Sequence, residues 1–160
     1  MGKLTFILAL IGSLGTAYSV IMTFYWHRVS IDCNIIEYCP TKDALIAYMS
    51  FINHSRLPIS ITDICIWNDG VLYNCVPTPE IVKFIDRKSN NEQFYKEAIH
   101  SAPLPINLPS LSGTSGYVYF LFPQENFQVS SKSLTVELST NRHLTLRKTL
   151  SLEKSLHIVQ

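Results

Sequence analysis

Charge is scarce in this sequence. Asp, Glu, Lys and Arg make up 16% of its 160 residues, and none occurs in the 23 residues from Leu4 to Trp26. What charge there is nearly balances. After Arg28 come 11 basic and 12 acidic residues, which removes any electrostatic case for nucleic acid as a partner. Zinc-ligand spacing is missing too. The four cysteines form no C-x₂₋₄-C pair, and none of the five histidines (His27, His54, His100, His143, His157) lies within four residues of another. There is no H-E-x-x-H, no G-x-S-x-G elbow and no Gly-Lys-Ser/Thr phosphate loop. With no catalytic, metal or cofactor motif, the chain reads as non-enzymatic and cofactor-free.

Weaker constellations have plainer explanations. His54, Ser55 and Asp63 can be drawn as a nucleophilic set, but Ser, His and Asp are common in loops. Asn53, His54 and Ser55 are expected instead to satisfy backbone groups in a turn. The same three residues form an N-x-S sequon, which matters in a eukaryotic secretory pathway. Gly113 and Gly116 read as part of a flexible Gly/Ser/Thr loop over 110–116. Glu92 and Glu97 read as a solvated helix face.

The uncharged run is the strongest positive feature. At ~1.5 Å per residue it spans roughly 34 Å as a helix, enough for a bilayer core about 30 Å thick. Phe24, Tyr25 and Trp26 stand where an interfacial aromatic belt belongs. A cleaved signal peptide would use Leu4 to Leu14 as its apolar region and Gly15-Thr16-Ala17 as its cleavage site. The apolar run continues past that site through Val20, Ile21, Met22 and Phe24, so its length favours an uncleaved anchor. Residues 1–28 are therefore expected to be a single-pass membrane anchor, with the lipid bilayer as partner. Ala9, Gly12, Ser13 and Ala17 are small residues spaced for close helix approach, to a second copy or to another membrane protein. Lys3 and Arg28 flank the run about equally and leave the side of the soluble domain undetermined.

Residues 29–160 read as one β domain. Expected strands are 29–38, 44–53, 59–67, 71–76, 104–109, 117–122, 134–138 and 144–147. Asn68-Asp69-Gly70 supplies a tight turn. The apolar phase slips near Thr62-Asp63, which indicates a bulge. Within an irregular insertion at 80–101, Ile81, Val82, Phe84 and Ile85 read as a short strand or a helical turn, and Asn90 to Ile99 is expected to form a short helix capped by Asn90 or Asn91. Seven to nine short strands without βαβ alternation indicate an antiparallel, Ig-like β-sandwich.

Two side-chain sets complete the expectations. Cys33 and Cys39, six apart, should share one face of a straight strand, whereas Cys65 and Cys75 flank the turn and could form a disulfide. Four buried free thiols are the competing arrangement. Trp67, Tyr73, Tyr117 and Tyr119 form a candidate aromatic interaction face. In 117–122, Tyr117, Tyr119 and Leu121 share one side of the strand and Val118, Phe120 and Phe122 the other. Burial of both sides, against loops or the 80–101 insertion, is the alternative.

The uncharged helix, then Phe51, Asn53, Ser55, Pro58, Ile59 and Ile61, and later Leu104 to Leu108, resemble small uncharacterised membrane-anchored β-sandwich proteins of Gram-positive bacteria and their mobile elements. The resemblance implies a fold and a membrane location, and no catalytic residues. The function expected is an interaction module held close to the bilayer. The alternative is a membrane-tethered small-molecule or lipid-binding domain, with an apolar cleft under residues 80–101.

Overall fold

The computed structural model describes residues 2–41, 43–68, 70–88, 94–122 and 133–152. The cap at Asn90 or Asn91, Glu92, and the chain beyond residue 152 lie outside them, as do the side chains of Tyr25 and Trp26. Among the described residues, α1 (Gly2–His27) is followed by ten strands: β1 (Ile31–Pro40), β2 (Ala44–Asn53), β3 (Ile59–Asn68), β4 (Val71–Asn74), β5 (Ile81–Lys88), β6 (Phe94–His100), β7 (Ile106–Leu108), β8 (Gly113–Leu121), β9 (Ser133–Thr140) and β10 (Thr145–Ser151).

Within α1, Thr5–Phe24 is long and apolar enough to cross a membrane, and none of it is buried. A signal sequence near the N-terminus meets the same criterion. Its hydroxyls turn inward on the helix itself. Ser13 donates to the Leu10 carbonyl at 2.9 Å, Thr16 to Gly12 at 2.9 Å and Thr23 to Ser19 at 2.8 Å.

The strands pair antiparallel throughout. One sheet runs β1-β2-β8; a second runs β10-β9-β3-β4, with β7 also on β3; β5 and β6 form a separate hairpin. The two larger sheets feed one core. Leu45, Ala47, Met49 and Phe51 of β2 join Ile59, Ile61, Ile64 and Ile66 of β3, Val118 and Phe120 of β8, and Val136 and Leu138 of β9. Each large apolar side chain so buried contributes roughly 1.5–3 kcal/mol.

Two bulges set which residues face that core. In β3 the register shifts between Ile61 and Asp63, where the apolar phase slips in the sequence. The extra residue returns Ile64 and Ile66 to the side of Ile59 and Ile61. In β1 the shift lies between Ile35 and Glu37. It overturns the expectation that Cys33 and Cys39 share a face. Cys33 joins the main core, while Cys39 joins a second cluster with Ile46 and Val82.

The sheets are also tied along both sides. On one, Cys75 donates its N–H to Ile64 of the second sheet and Val76 donates to Tyr119 of the first, at 2.9 and 2.8 Å. On the other, Lys148 Nζ on β10 reaches Asp32 and, at 3.2 Å, the Cys33 carbonyl on β1.

Three further expectations fail. The helix over 90–99 is not formed where it is described: Phe94–His100 is a strand, with Glu97 opposite Ile85 and Ile99 opposite Lys83. That hairpin takes the strand count past seven to nine. The flexible loop at 110–116 is half strand, since β8 begins at Gly113. A Cβ at Gly113 would sit 3.1 Å from the Phe51 carbonyl oxygen, so glycine permits the close approach of β8 to β2.

Candidate interaction surfaces

The four aromatic residues do not form one face. Tyr117 and Tyr119 stand on the side of β8 away from the main core, packed with Ile99 against Cys39, Ile46 and Val82. The alternation in the strand therefore separates two environments, with Val118 and Phe120 in the main core and the tyrosines beneath the β5–β6 hairpin. Tyr117 packs against Tyr48 with ring centroids 4.8 Å apart and planes tilted by 47°, and the Tyr48 hydroxyl is 2.8 Å from Ser115 Oγ. Burial pushes both phenols above the ordinary tyrosine value, with Glu37 adding to the effect at Tyr117 and Asp43 and Glu80 at Tyr119. Both are neutral, half-buried rings rather than open contact points.

Tyr73 is elsewhere, edge-on to Phe122 at 4.7 Å at the margin of the main core. Trp67 lies on the outer side of the second sheet. Its indole N–H donates to Glu137 at 3.0 Å, and the Arg147 guanidinium covers its ring at 4.5 Å. Glu137 and Arg147 are direct cross-strand partners, and Trp67, opposite Thr135, reaches them diagonally from the neighbouring strand. Sequence reading missed Glu137 and Arg147 here, because the β9–β10 register was needed to place them opposite one another.

The thiols are unbonded and buried. Cys65 and Cys75 are free, and the register puts Asn74, not Cys75, opposite Cys65. The Cys65 thiol contacts Asn74 Oδ1 at 3.2 Å and Asp63 Oδ2 at 3.4 Å. Burial, helped by the charge of Asp63, pushes it up to about 12. Burial likewise pushes Cys33 and Cys75 up to about 11. Thiols held neutral in this way are poor nucleophiles.

The His54, Ser55 and Asp63 set does not assemble for catalysis. Ser55 is 3% exposed, and its hydroxyl lies against Asn53 Oδ1 and the Leu57 carbonyl. The Asp63 carboxylate accepts from the Ile64 N–H at 2.8 Å and from Cys65. Asn53, 1% exposed, is spent inside the fold, so the sequon is out of reach of a glycosylating enzyme once the domain has folded.

The 80–101 segment presents a different surface. The underside of the hairpin rests on Tyr117 and Tyr119 through Val82 and Ile99. Its other side leaves Ile81 and Phe84 exposed. Strict alternation in Ile81-Val82-Lys83-Phe84 would place Phe84 with Val82; the register shift between Ile81 and Lys83 turns Phe84 outward with Ile81 instead. A cavity of about 220 Å³ lies away from the hairpin, between β1 and β10, lined by Asn34, Ile35, Leu150 and Ser151. It is below the size of ordinary small-molecule sites, roughly 300–1,000 Å³. In α1, Gly12 has open space around it, and Ala9, Ser13 and Ala17 are exposed. Because Ser13 and Thr16 bond within the helix, this stripe offers close approach without a donor that requires a partner.

Neither a family model nor a curated protein matches the chain. Among solved structures, a GH20 exo-β-N-acetylglucosaminidase from Vibrio harveyi matches 80% of this chain at 12% identity and a TM-score of 0.31, both in complex with N-acetylglucosamine and as an inactive mutant. The chain spans 18% of that enzyme's length. A likeness of this size carries no argument about fold or chemistry.

Proposed function

We propose that this chain is a single-pass membrane protein whose Ig-like β-sandwich serves as a non-enzymatic interaction module held against the bilayer. The join between helix and domain carries the reading. Arg28, Val29 and Ser30 are the residues between α1 and β1. Val29 packs on the main core, and the Ser30 carbonyl accepts the His54 N–H at 2.9 Å. The domain thus already holds two of the three. An extended residue gives at most about 3.6 Å of reach, so a domain on an anchored α1 stays at the membrane surface. The sandwich form is supported by two antiparallel sheets contributing to one core, and the non-enzymatic role by the burial of Ser55 and of the thiols.

The contact surface best supported is the outer side of the β5–β6 hairpin, with Ile81 and Phe84 facing solvent. Partners in the same membrane fit a domain with this reach. Three measurements on native membranes test the reading together. The chain should resist alkaline carbonate extraction, keep its N-terminal residues, and bring down a membrane protein after crosslinking. Phe84→Asp should abolish that recovery without lowering Tm. Cleavage near Gly15-Thr16-Ala17, release by carbonate, or consistent recovery of the chain alone would sink it.

A further inference from the structure

The end of the domain from which α1 leaves is built from segments far apart in sequence. Ile31, the first residue of β1, lies opposite Asn53, the last of β2; Ile52 lies opposite Gly113 at the start of β8. Ile59 at the start of β3 meets Leu108 at the end of β7, and Ile61 meets Thr140 at the end of β9. The loops 54–58, 109–112 and 141–144 therefore gather beside residues 28–30. Hydrogen bonds join them: His54 N–H to the Ser30 carbonyl at 2.9 Å, Leu111 N–H to Ser55 at 3.0 Å, and Arg142 Nε to Pro58 at 3.4 Å.

The four segments that form this surface are one-sided in charge. Arg28, Arg56 and Arg142 are exposed on it, along with His54 and His143, and the four segments contain no Asp or Glu. Asp32, one residue inside β1, is ion-paired with Lys148. The carboxylates of Glu37, Asp43 and Glu80 act instead around Tyr117 and Tyr119. Leu111 is 68% exposed at the tip of its loop, with a φ of 51° that β-carbon sterics disfavour.

We propose that this end is a docking face for an anionic bilayer, with Arg28, Arg56 and Arg142 meeting lipid phosphates and Leu111 entering the interfacial layer. The inference rests on α1 being an anchor. A basic side chain near an anionic surface is worth about a fivefold shift in binding equilibrium, and an apolar side chain among basic ones suits the headgroup boundary. The helix would bring the domain to the membrane; the arginines would fix which face it presents.

The test uses the full chain reconstituted into nanodiscs of phosphatidylcholine alone or mixed with phosphatidylglycerol. Ser110→Cys, exposed in the Leu111 loop, carries an environment-sensitive fluorophore while the four buried native thiols stay unlabelled. Quenching by headgroup-level spin-labelled lipid reports docking. Strong quenching is expected in the anionic discs and weaker quenching in the neutral ones. Arg56→Gln and Arg142→Gln should each lower the docked-to-undocked ratio about fivefold, and the corresponding lysine variants should largely restore it. Equal quenching in both lipids, or no change in the doubly substituted Gln chain at unchanged Tm, overturns the docking face. A chain that stays in the discs with Ser110→Cys unquenched overturns docking while leaving the anchor intact. A chain that does not stay in the discs ends the anchor reading, and the docking face with it.

Discussion

Asn53 donates its side-chain amide to the Pro109 carbonyl at 2.9 Å, tying together two chain segments 56 positions apart. The same amide reaches Leu57 at 2.8 Å and Leu108 at 3.3 Å, and its oxygen accepts the Ser55 N–H at 2.9 Å. One buried carboxamide thus holds the β2–β3 loop against the end of β7, at the end of the domain that receives α1. An exposed turn residue would have no such role.

Asn53→Ala should destabilise the domain by about 3 kcal/mol, because it leaves several buried backbone groups without a partner. Asn53→Asp should be at least as damaging, since a carboxylate cannot donate to the three carbonyls and its charge would be buried. Urea midpoints at constant m-value measure both. A change within about 0.5 kcal/mol for Asn53→Ala would show that the junction is not a structural clasp.

Tyr119 and Phe120 are neighbours in sequence with separate roles. Phe120 is fully buried between the two large sheets, whereas Tyr119 supports the hairpin. Phe120→Ala should cost about 3–5 kcal/mol and raise amide exchange throughout the domain. Tyr119→Ala should cost about 1.5 kcal/mol at most, with faster exchange concentrated in β5 and β6, which pair with each other rather than with the large sheets. Uniformly faster exchange in Tyr119→Ala would mean that the hairpin is part of the main cooperative unit.

The legible parts of this fold are those where local pattern and burial agree. Ala44–Asn53 has apolar residues on both sides and was bounded correctly from sequence, because β2 lies between β1 and β8 and covers both clusters. The slip at Thr62-Asp63 could be read because the core enforces which β3 residues turn inward. The 94–100 segment was misread because Phe94, Tyr95, Ala98 and Ile99 also fit one side of a helix, and pairing with β5 decided otherwise. Cys33 and Cys39 were placed on one face because nothing in IDCNIIEYCP marks the bulge. The basic end of the domain was the least legible. Arg28, Arg56 and Arg142 are isolated in the sequence and meet only through strand register.

The raised thiols give a pH dependence on the alkaline side. Cys33, Cys65 and Cys75 hold their protons to about 11, 12 and 11 when folded, against an ordinary value of 9.0. Above about pH 8.5 the unfolded chain loses these protons while the folded one keeps them. Their contribution is therefore complete below that range and lost as pH rises through it. Urea midpoints should fall progressively above pH 9, and Cys75→Ala should flatten that fall after correction for its cavity cost. Native thiols should also react with a maleimide at the rate of unfolding or local opening. Fast labelling of Cys33 or Cys75 in the folded domain would contradict their burial.

The acid side should be governed in part by Asp32, for the opposite reason. Its hydrogen bond to Lys148 holds its carboxyl below the ordinary carboxylate value, a shift that outweighs the cost of its burial. A depressed folded value means that the stabilisation is present above the unfolded pKa, near 3.9, and is lost as pH falls through the folded one. Both side chains are more than a third exposed, so the pair is worth about 0.5 kcal/mol at neutral pH. Asp32→Asn should lower stability by about that amount at pH 7 and have a smaller effect below about pH 3, so the two stability curves converge on acidification. Salt should narrow the gap at pH 7, because the pair is open to screening. Parallel curves would mean that Lys148 gains nothing from the Asp32 charge and is held by the Cys33 carbonyl and Asn34. In that case the link between β1 and β10 rests on the Lys148 ammonium donating to the uncharged oxygens of Cys33 and Asn34, and Asp32 would retain a charge able to oppose lipid binding at the nearby arginine-rich end.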